Sequence, residues 1–337
     1  MKAGHNITEI VSKEGKYMCT ALNLDGFFGR TLDVECSYGE KVTLTPRGAG
    51  LNFKYEGGMS SHLALLGMAA VIDGVPLYYD AVNEAGICMA ALKFPGNAVY
   101  REACDNSKNV ASFELIMWVL SQCKTLAAAR ELISKTNITN DDFSDAVRTT
   151  PLHFIVADGK SAIVVESTAE GVQIYDNSLG VLTNNPPFCY HTARICDFMH
   201  LTPDYPENTL CKNTVLKPYS GGMGAIGLPG DFSSPSRFVR AVFAKNHIDC
   251  MGKQSERVGA FFHVMDTVSV PRGCEKNSDR KCVYTLYTSC IDVAARTYFF
   301  TTYNNRRIRA VELDNLEIDG DTPVCYEINA GEDILFL

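Results

Sequence analysis

A cysteine stands at position 19, directly after Met18 and within the apolar stretch MCTALNL. A polypeptide that began at Cys19 would carry a thiol and a free α-amine on the same residue. The pKa of a free α-amine is about 7.7–8.0 and that of an ordinary thiol is about 8.5, so both groups titrate near neutral pH. The unprotonated amine could then accept the thiol proton, directly or through a water molecule, without a histidine. If Cys19 stays within the chain, its nitrogen is an amide and this base is lost.

Residues 1–17 are mostly polar and have no evident place in a sheet. Two explanations remain open: translation starts at Met18, or residues 1–18 form an N-terminal extension or propeptide that the mature protein lacks. Residues 19–337 would then form a single domain, because no repeat, charge block or Gly/Ser linker marks a boundary. Residues 1–17 also lack the apolar run of a secretory signal, so we expect a cytoplasmic protein.

An Asp-Gly pair at positions 25–26 lies between two apolar runs and predicts a hairpin with a two-residue turn. This turn would place Cys19 opposite Leu32, with Arg30 on the same face as the thiol. A guanidinium in that position would favour the thiolate form of the cysteine. Asp33 falls on the other face in this register, and only a bulge or bend between Arg30 and Asp33 would bring it beside the thiol.

Short apolar runs separated by turn residues predict strands, and two pairs of helices lie between groups of strands. Because the strands come in adjacent groups, the pattern favours antiparallel sheets covered by helix pairs, an α+β layered fold. Ser112 and Thr125 are suited to cap the first two helices. The predicted strands are 19–24, 27–33, 41–45, 63–72, 76–82, 86–92, 152–157, 161–167, 171–175, 282–290, 295–303 and 307–313, and the predicted helices are 112–123, 125–135, 235–247 and 255–267.

Composition excludes several classes of function. The chain has 337 residues, 46% of them hydrophobic, so a disordered chain is excluded. Its net charge of −8 argues against a nucleic-acid partner, which requires a basic surface. Apolar stretches such as LIMWVL at 115–120 are much shorter than the roughly 20 residues that span a bilayer, so no membrane insertion is expected.

Neither a metal nor an organic cofactor is expected. The thirteen cysteines contain no CxxC pair, and the seven histidines contain no HExxH motif and are interpreted as structural or surface residues. The string GMGAIG at 222–227 matches a dinucleotide motif, but prolines flank it where a strand and a helix would be needed.

Longer stretches, spread over nearly the whole chain after residue 17, resemble the choloylglycine hydrolase family. This family contains bile salt hydrolases and penicillin V acylases of the N-terminal-nucleophile (Ntn) superfamily. The resemblance implies a four-layer αββα sandwich of two antiparallel sheets and amide hydrolysis through a thioester acyl-enzyme. The stretches are MCTALNL, FFGRTLD, LTPR, LYYDAVNEAGI, VLTNNPPF, GMGAIGLPGDFSSPSRFVRAVF, YTLYTSC and YFFTTYNN, of which the block 224–243 is the most specific.

The resemblance also implies a role for each of five residues. Cys19 would be the nucleophile, with its own amine as the base. Arg30 and Arg237 would shape the charge around the thiol, and Asp33 would hold the α-amine. Asn184 would donate its side-chain amide to the oxyanion of the tetrahedral intermediate, and losing one such donor typically costs about 10²–10³ in rate.

One position departs from the family pattern. Bile salt hydrolases of this family usually read GLNF, and penicillin V acylases carry a tyrosine at the asparagine, whereas this chain reads AALKF. Lys93 therefore occupies an oxyanion-hole and selectivity position, where the backbone N–H is unaffected. Its ammonium would attract the glycine carboxylate or taurine sulfonate of a conjugated bile acid; the alternative is that it points to solvent. The resemblance places Leu32, Ile72 and Tyr79 in the acyl-group pocket.

The expected function is hydrolysis of a conjugated bile acid, a small-molecule amide, to release glycine or taurine. Within the same class, the alternatives are a penicillin V acylase, another N-acyl amide hydrolase or an amine N-acyltransferase. In a different class, the chain would be an inactive binding protein whose residues 1–18 are retained and cover the cleft. The turn-rich segment 189–221 resembles the assembly loop of related homotetramers, so a homotetramer is expected.

Overall fold

The computed structural model describes residues 18–328 and 331–337. The expected N-terminal extension therefore lies outside the described residues, except for Met18. Within the described ranges the chain forms nineteen strands and five α-helices. The strands are β1 Met18–Leu24, β2 Phe27–Val34, β3 Glu40–Thr45, β4 Leu51–Phe53, β5 Gly57–Met59, β6 Leu65–Ile72, β7 Val75–Asn83, β8 Cys88–Lys93, β9 Lys108–Ala111, β10 Thr136–Thr139, β11 Leu152–Ala157, β12 Ala162–Thr168, β13 Gly171–Asp176, β14 Val181–Leu182, β15 Glu275–Lys276, β16 Cys282–Asp292, β17 Thr297–Thr302, β18 Asn305–Glu312 and β19 Val324–Glu327. The helices are α1 Leu115–Leu120, α2 Leu126–Ser134, α3 Phe188–Arg194, α4 Ser234–His247 and α5 Gln254–Asp266.

Two large sheets form the centre of the molecule. The seven-stranded sheet has the order β14-β1-β2-β16-β17-β18, with β15 paired to β16. The eight-stranded sheet has the order β13-β12-β11-β8-β7-β6-β3-β19. Neighbouring strands in both sheets are antiparallel. Two shorter pairs, β4–β5 and β9–β10, lie outside them.

The sheets stack with helices on their outer faces. Helices α4 and α5 pack on the seven-stranded sheet, α1 and α2 pack on the eight-stranded sheet, and β1 and β2 meet β8 where the sheets face each other. One apolar cluster joins both sheets to α4 and α5, and a second fills the space under α1 and α2. This arrangement confirms the predicted four-layer αββα sandwich.

The predicted hairpin between β1 and β2 is confirmed. Its turn residues, Asp25 and Gly26, have φ angles of 44° and 85°. Two central residues with positive φ are typical of the tight turn whose twist matches that of paired strands. In the resulting register Cys19 pairs with Leu32, and Arg30 lies on the same face as the thiol.

The start of the first helix was predicted wrongly. Helix α1 begins at Leu115, and no side chain caps it at Glu114, because Ser112 lies in the turn that precedes the helix. The predicted cap of the second helix is confirmed, because the Thr125 hydroxyl accepts a hydrogen bond from the Ala128 N–H at 3.1 Å. Over the described part of the chain, no helix has the length and apolar content that crossing a membrane requires.

Candidate active site

Cys19 lies in β1, where the seven-stranded sheet faces the eight-stranded sheet. Its side chain is only 2% exposed and lines a cavity of about 460 Å³ between the sheets. A cavity of this size is in the range that holds a small organic molecule. The sulfur therefore faces a partly open cavity that a substrate could enter.

Arg30 brings a positive charge to the sulfur. Its Nη2 donates to Cys19 Sγ at 2.6 Å, and its Nη1 donates to the Ala91 carbonyl at 2.7 Å and to the Tyr79 carbonyl at 3.2 Å. The guanidinium thus bridges β2 to the backbone of β7 and β8. Burial disfavours its charge, but Cys19 and nearby acidic groups outweigh burial and raise the pKa of Arg30. It stays charged beside the thiol.

Asn184 reaches Cys19 because β14 pairs with the outer edge of β1. Leu182 lies opposite Ala21, so the antiparallel register carries Asn184 alongside Cys19. Asn184 Oδ1 accepts the Cys19 backbone N–H at 2.7 Å, and Nδ2 donates to the Lys93 carbonyl at 2.8 Å. An amide group has two Nδ2 hydrogens, and this contact uses one of them.

Arg237 approaches the same residue from the helical layer. It lies near the start of α4, where its Nη1 donates to the Cys19 carbonyl at 2.6 Å and to the Thr20 hydroxyl at 2.5 Å. Its Nη2 donates to Asn184 Oδ1 at 2.8 Å. Arg237 is fully buried, and burial lowers its pKa from the ordinary value. It holds the backbone of Cys19 and the Asn184 amide together.

Asp33 lies on the opposite face of the hairpin from the thiol. The β1–β2 register runs without a bulge from Arg30 to Asp33, and the irregularity falls in β16 instead, after Thr285. The Asp33 carboxylate accepts from the Thr285 hydroxyl at 2.7 Å and lies 4.0 Å from Arg237 Nη1. Burial raises the pKa of Asp33, although Arg237 acts in the opposite direction. Asp33 is therefore directed toward Arg237, away from the sulfur.

The predicted pocket residues share the cavity with Cys19. Leu32, Ile72 and Tyr79 line it together with further apolar and aromatic side chains, and Lys93 lines it near the thiol. Burial lowers the pKa of Lys93 to about 8, while the charges of Cys19 and Glu35 act in the opposite direction. The lining of the cavity therefore combines basic side chains with apolar and aromatic ones.

The sequence did not single out a buried carboxylate behind Arg30. Asp80 accepts hydrogen bonds from the hydroxyls of Tyr287 at 2.6 Å, Tyr298 at 2.8 Å and Ser289 at 2.9 Å. Burial raises the pKa of Asp80, and the charge of Arg30 opposes this shift. The available signal was an aspartate inside the apolar strand segment LYYDAV, because a carboxylate in a buried strand needs partners.

Two histidines that the sequence did not associate with the site are buried around Asn184. His153 contacts the carbonyl of Thr183, and His191 contacts the carbonyl of Asn184 itself. No motif spacing could have identified them, since neither belongs to a metal or triad pattern. Within residues 18–328 and 331–337, no group of His, Cys, Asp and Glu is arranged to hold a metal ion.

Comparison with known proteins gives consistent matches over the chain. A family model described as linear amide C–N hydrolases, choloylglycine hydrolase family, matches residues 19–326. The bile salt hydrolase/transferase of Lactiplantibacillus plantarum is 40% identical over 93% of this chain and 98% of its own length. That of Clostridium perfringens is 32% identical over 93% of this chain and 97% of its own length.

Solved structures agree with the same fold. A mutant of the conjugated bile acid hydrolase from Clostridium perfringens aligns with a TM-score of 0.86 at 30% identity, covering 95% of this chain and 99% of that one. Penicillin V acylase from Agrobacterium tumefaciens aligns with a TM-score of 0.73 at 19% identity, covering 92% and 91%. At that identity the second match shows only a shared fold.

Proposed function

We propose that this chain, which belongs to the choloylglycine hydrolase family of linear amide C–N hydrolases, cleaves conjugated bile acids at the amide bond to glycine or taurine. The observation that carries the proposal is the contact of Arg30 with Cys19 Sγ at 2.6 Å, in a cavity lined mainly by apolar and aromatic side chains. Relatives at 40% and 32% identity are named bile salt hydrolase/transferase, which supports this substrate class.

In the proposed reaction the Cys19 thiolate attacks the amide carbonyl and forms a C–S bond. The carbonyl π electrons move to oxygen, and the resulting oxyanion accepts a hydrogen bond from Asn184 Nδ2. The intermediate then collapses, the C–N bond breaks, and the leaving nitrogen takes the proton that the base received from the thiol. Water attacks the thioester in a second step, releasing the bile acid and restoring the thiol.

The proposed base is the α-amine of Cys19, which requires a mature chain that begins at this residue. In the present structure the Cys19 nitrogen is linked to Met18 and donates to Asn184 Oδ1. The family model starts its match at residue 19, which supports the same mature terminus. After release, Asn184 could still hold the nitrogen, while Asp33 and Arg237 balance charge nearby.

Lys93 is the proposed recognition residue for the conjugate. It lines the cavity close enough to Cys19 for the charge of Cys19 to act on it. A glycine carboxylate or taurine sulfonate attached to the scissile amide would lie beside its ammonium. The steroid would pack against the apolar lining, which includes Leu32, Ile72 and Tyr79, where burial is favourable by roughly 25 cal/mol per Å².

Acyl transfer is a second candidate activity. The relatives from Lactiplantibacillus plantarum and Clostridium perfringens are named as transferases as well as hydrolases. An amine would replace water in the second step, forming a new C–N bond and releasing Cys19. Incubation with an unconjugated amine acceptor, followed by mass spectrometry of the bile acid products, distinguishes transfer from hydrolysis.

The main experiment combines intact mass with kinetics. We expect the purified active protein to begin at Cys19 and to release glycine from glycocholate and taurine from taurocholate, faster than it cleaves penicillin V. Cys19→Ala should abolish turnover. Cys88→Ala is the matched control, because Cys88 is equally buried but lies at the other end of β8 from Lys93.

Two results would count against this proposal. A full-length chain that turned over normally would overturn the α-amine mechanism and leave the amidase activity in place. A protein that begins at Cys19 and hydrolyses none of the three amides would overturn the proposed substrate class.

We also propose that the chain assembles as a homotetramer through segment 189–221. Large apolar side chains are exposed along it, which is unusual for a surface that contacts only water. They are Tyr190, Met199, Tyr205, Leu210, Val215, Leu216 and Tyr219. Light scattering after size exclusion should give four times the chain mass, and a monomer at assay concentration would contradict the assembly.

A further inference from the structure

Asn184 belongs to a short loop that joins β14 to α3, here called the Asn184 loop (residues 183–187). His153, in β11, holds one end of this loop: its Nε2 lies 2.8 Å from the Thr183 carbonyl oxygen. The other ring nitrogen, Nδ1, lies 3.1 Å from Glu166 Oε1 on the neighbouring strand β12. His153 and Glu166 are a directly opposed cross-strand pair, and both are fully buried.

The hydrogen-bond partners fix where protons lie in this pair. A carbonyl oxygen can only accept, so His153 Nε2 must carry a hydrogen. At Nδ1 the ring either donates to a Glu166 carboxylate or accepts from a Glu166 carboxyl. Either way one proton is shared between the two side chains, and Nε2 donates to the Thr183 carbonyl.

His191 holds Asn184 itself. Its Nε2 lies 2.9 Å from the Asn184 carbonyl oxygen and must therefore donate. Burial lowers the pKa of His191 to about 4, so the ring stays neutral near neutral pH. His191 lies on α3, and the N–H of Phe188, the first residue of α3, donates to Glu166 Oε1 at 2.9 Å. One carboxylate therefore anchors both His153 and the helix that carries His191.

The two imidazole rings also stack against the neighbours of other site residues. Phe94 lies 4.4 Å from the His153 ring at an interplanar angle of 6°, and it directly follows Lys93. Phe238 lies 4.8 Å from the His191 ring at 17°, and it directly follows Arg237. Each histidine thus couples the Asn184 loop to another part of the site.

Ser234, in α4, contacts the Asn184 loop through its hydroxyl. The Asn184 N–H donates to its Oγ at 2.9 Å, and this Oγ donates to the Thr183 hydroxyl at 2.9 Å. With His191 on the carbonyl, both backbone polar groups of Asn184 are held by buried side chains. The backbone that carries the side-chain amide is therefore held by residues outside the cavity lining, in addition to the direct contacts of the amide itself.

We propose that His153, Glu166, His191 and Ser234 are positioning residues that hold the Asn184 amide in place for the oxyanion. The inference rests on the proposed function, in which Asn184 Nδ2 donates to that oxygen. An oxyanion donor acts mainly in the transition state, so misplacing it lowers kcat more than it changes KM. A displacement of about 1 Å costs on the order of 10²-fold in rate.

The first test is His191→Phe, which keeps the stacked ring and removes the N–H. We expect kcat for glycocholate to fall about 10²-fold while KM stays within about threefold. The matched control is His62→Phe: His62 is also buried, with both ring nitrogens 2.7 Å from backbone carbonyls, but it does not line the cavity. It should lower Tm and leave kcat unchanged.

The second test distinguishes the hydrogen bonds of the Glu166 side chain from the space that this side chain fills. In Glu166→Gln one amide atom replaces Oε1, which contacts both the Phe188 N–H and His153 Nδ1. As an oxygen this atom still accepts the Phe188 N–H, and as a nitrogen it donates to His153 Nδ1. Because one atom cannot do both, we expect this variant to recover only part of the kcat that Glu166→Ala loses. If His191→Phe does not fold, Ser234→Ala replaces it, with Ser236→Ala on the same helix as its control, because Ser236 bonds to Asp231 instead of the loop.

These results have distinct meanings. A fall in kcat confined to the variants around Asn184 supports positioning. An unchanged kcat in a folded His191→Phe or Ser234→Ala protein, or losses equal to those of the His62 and Ser236 controls, overturns it. If the wild-type protein cleaves no conjugated bile acid, the proposed function fails instead, so the two failures are distinguishable.

Discussion

The two faces of the β1–β2 hairpin serve different atoms of Cys19. The face toward the eight-stranded sheet carries the thiol with Arg30 and Leu32. Its side chains therefore contact the sulfur and line the cavity that the sulfur faces. The face toward α4 carries Thr20 and Asp33, with Arg237 above them, and its contacts involve the backbone of Cys19.

This division follows from the alternation of side chains along a strand. The proposed nucleophile, whose own free α-amine would be the base, needs groups near two atoms that point in different directions. A single strand face could supply only one of these environments. The sandwich supplies both, because β1 lies between a second sheet on one side and a helical layer on the other.

Removing the cation on the sulfur side should have the largest effect. We expect Arg30→Met to lower kcat by about 10²–10³-fold, because the thiolate loses its donor. Alkylation of Cys19 by iodoacetamide at pH 7 should slow in parallel. Arg30→Lys keeps a positive charge, so its kcat and its alkylation rate should lie between those of the wild type and Arg30→Met. If folded Arg30→Met protein were alkylated at the wild-type rate, Arg30 would not control the reactivity of the sulfur.

Asp33→Asn perturbs the other face. We expect kcat to fall roughly 10²-fold, because the proposed base loses the carboxylate that balances charge near it. Alkylation of the sulfur should stay close to wild type, which distinguishes this variant from Arg30→Met. Thr285→Val removes only a hydrogen bond to Asp33, so we expect it to lower kcat less than Asp33→Asn does. Equal loss of alkylation in both hairpin variants would remove the distinction between the faces.

Lys93 should make substrate recognition depend on pH. Because burial lowers its pKa to about 8, the ammonium is present below that pH and is lost as pH rises through it. We expect KM for glycocholate to rise by up to about tenfold between pH 6.5 and 9.5. A Lys93→Arg variant should show a flat KM, because its guanidinium stays charged. If KM changed with pH in the same way in the wild type and in Lys93→Met, Lys93 would not be the group that recognises the substrate anion.

A change in the apolar lining of the cavity should give the smallest effect. Ile72→Ala removes methylene and methyl groups from its lining, and we expect KM for glycocholate to rise about fivefold with kcat unchanged, equivalent to about 1 kcal/mol. Val75→Ala is the control, since Val75 lies opposite Ile72 in the β6–β7 pair but outside the cavity lining. A change in kcat instead of KM would show that the apolar lining acts on the chemical step and not on substrate binding.

The sequence by itself determined the local part of the site. The Asp-Gly turn at 25–26 sets the hairpin register, because a two-residue loop leaves one pairing that keeps both strands in contact. The relation of Cys19, Arg30 and Leu32 follows directly from that register. The layered α+β class was also predictable, since strand groups and helix pairs are patterns of neighbouring residues.

The tertiary structure alone decided which distant residues meet Cys19. Asn184 and Arg237 stand 165 and 218 positions from it along the chain, and their contacts depend on how β14 and α4 pack against β1. Family resemblance named these two residues, but spacing could not. The sequence predicts structural or surface roles for His153 and His191, and only packing shows that they contact the carbonyls of Thr183 and Asn184. Turn geometry acts over a few residues, whereas contacts between layers depend on the whole chain.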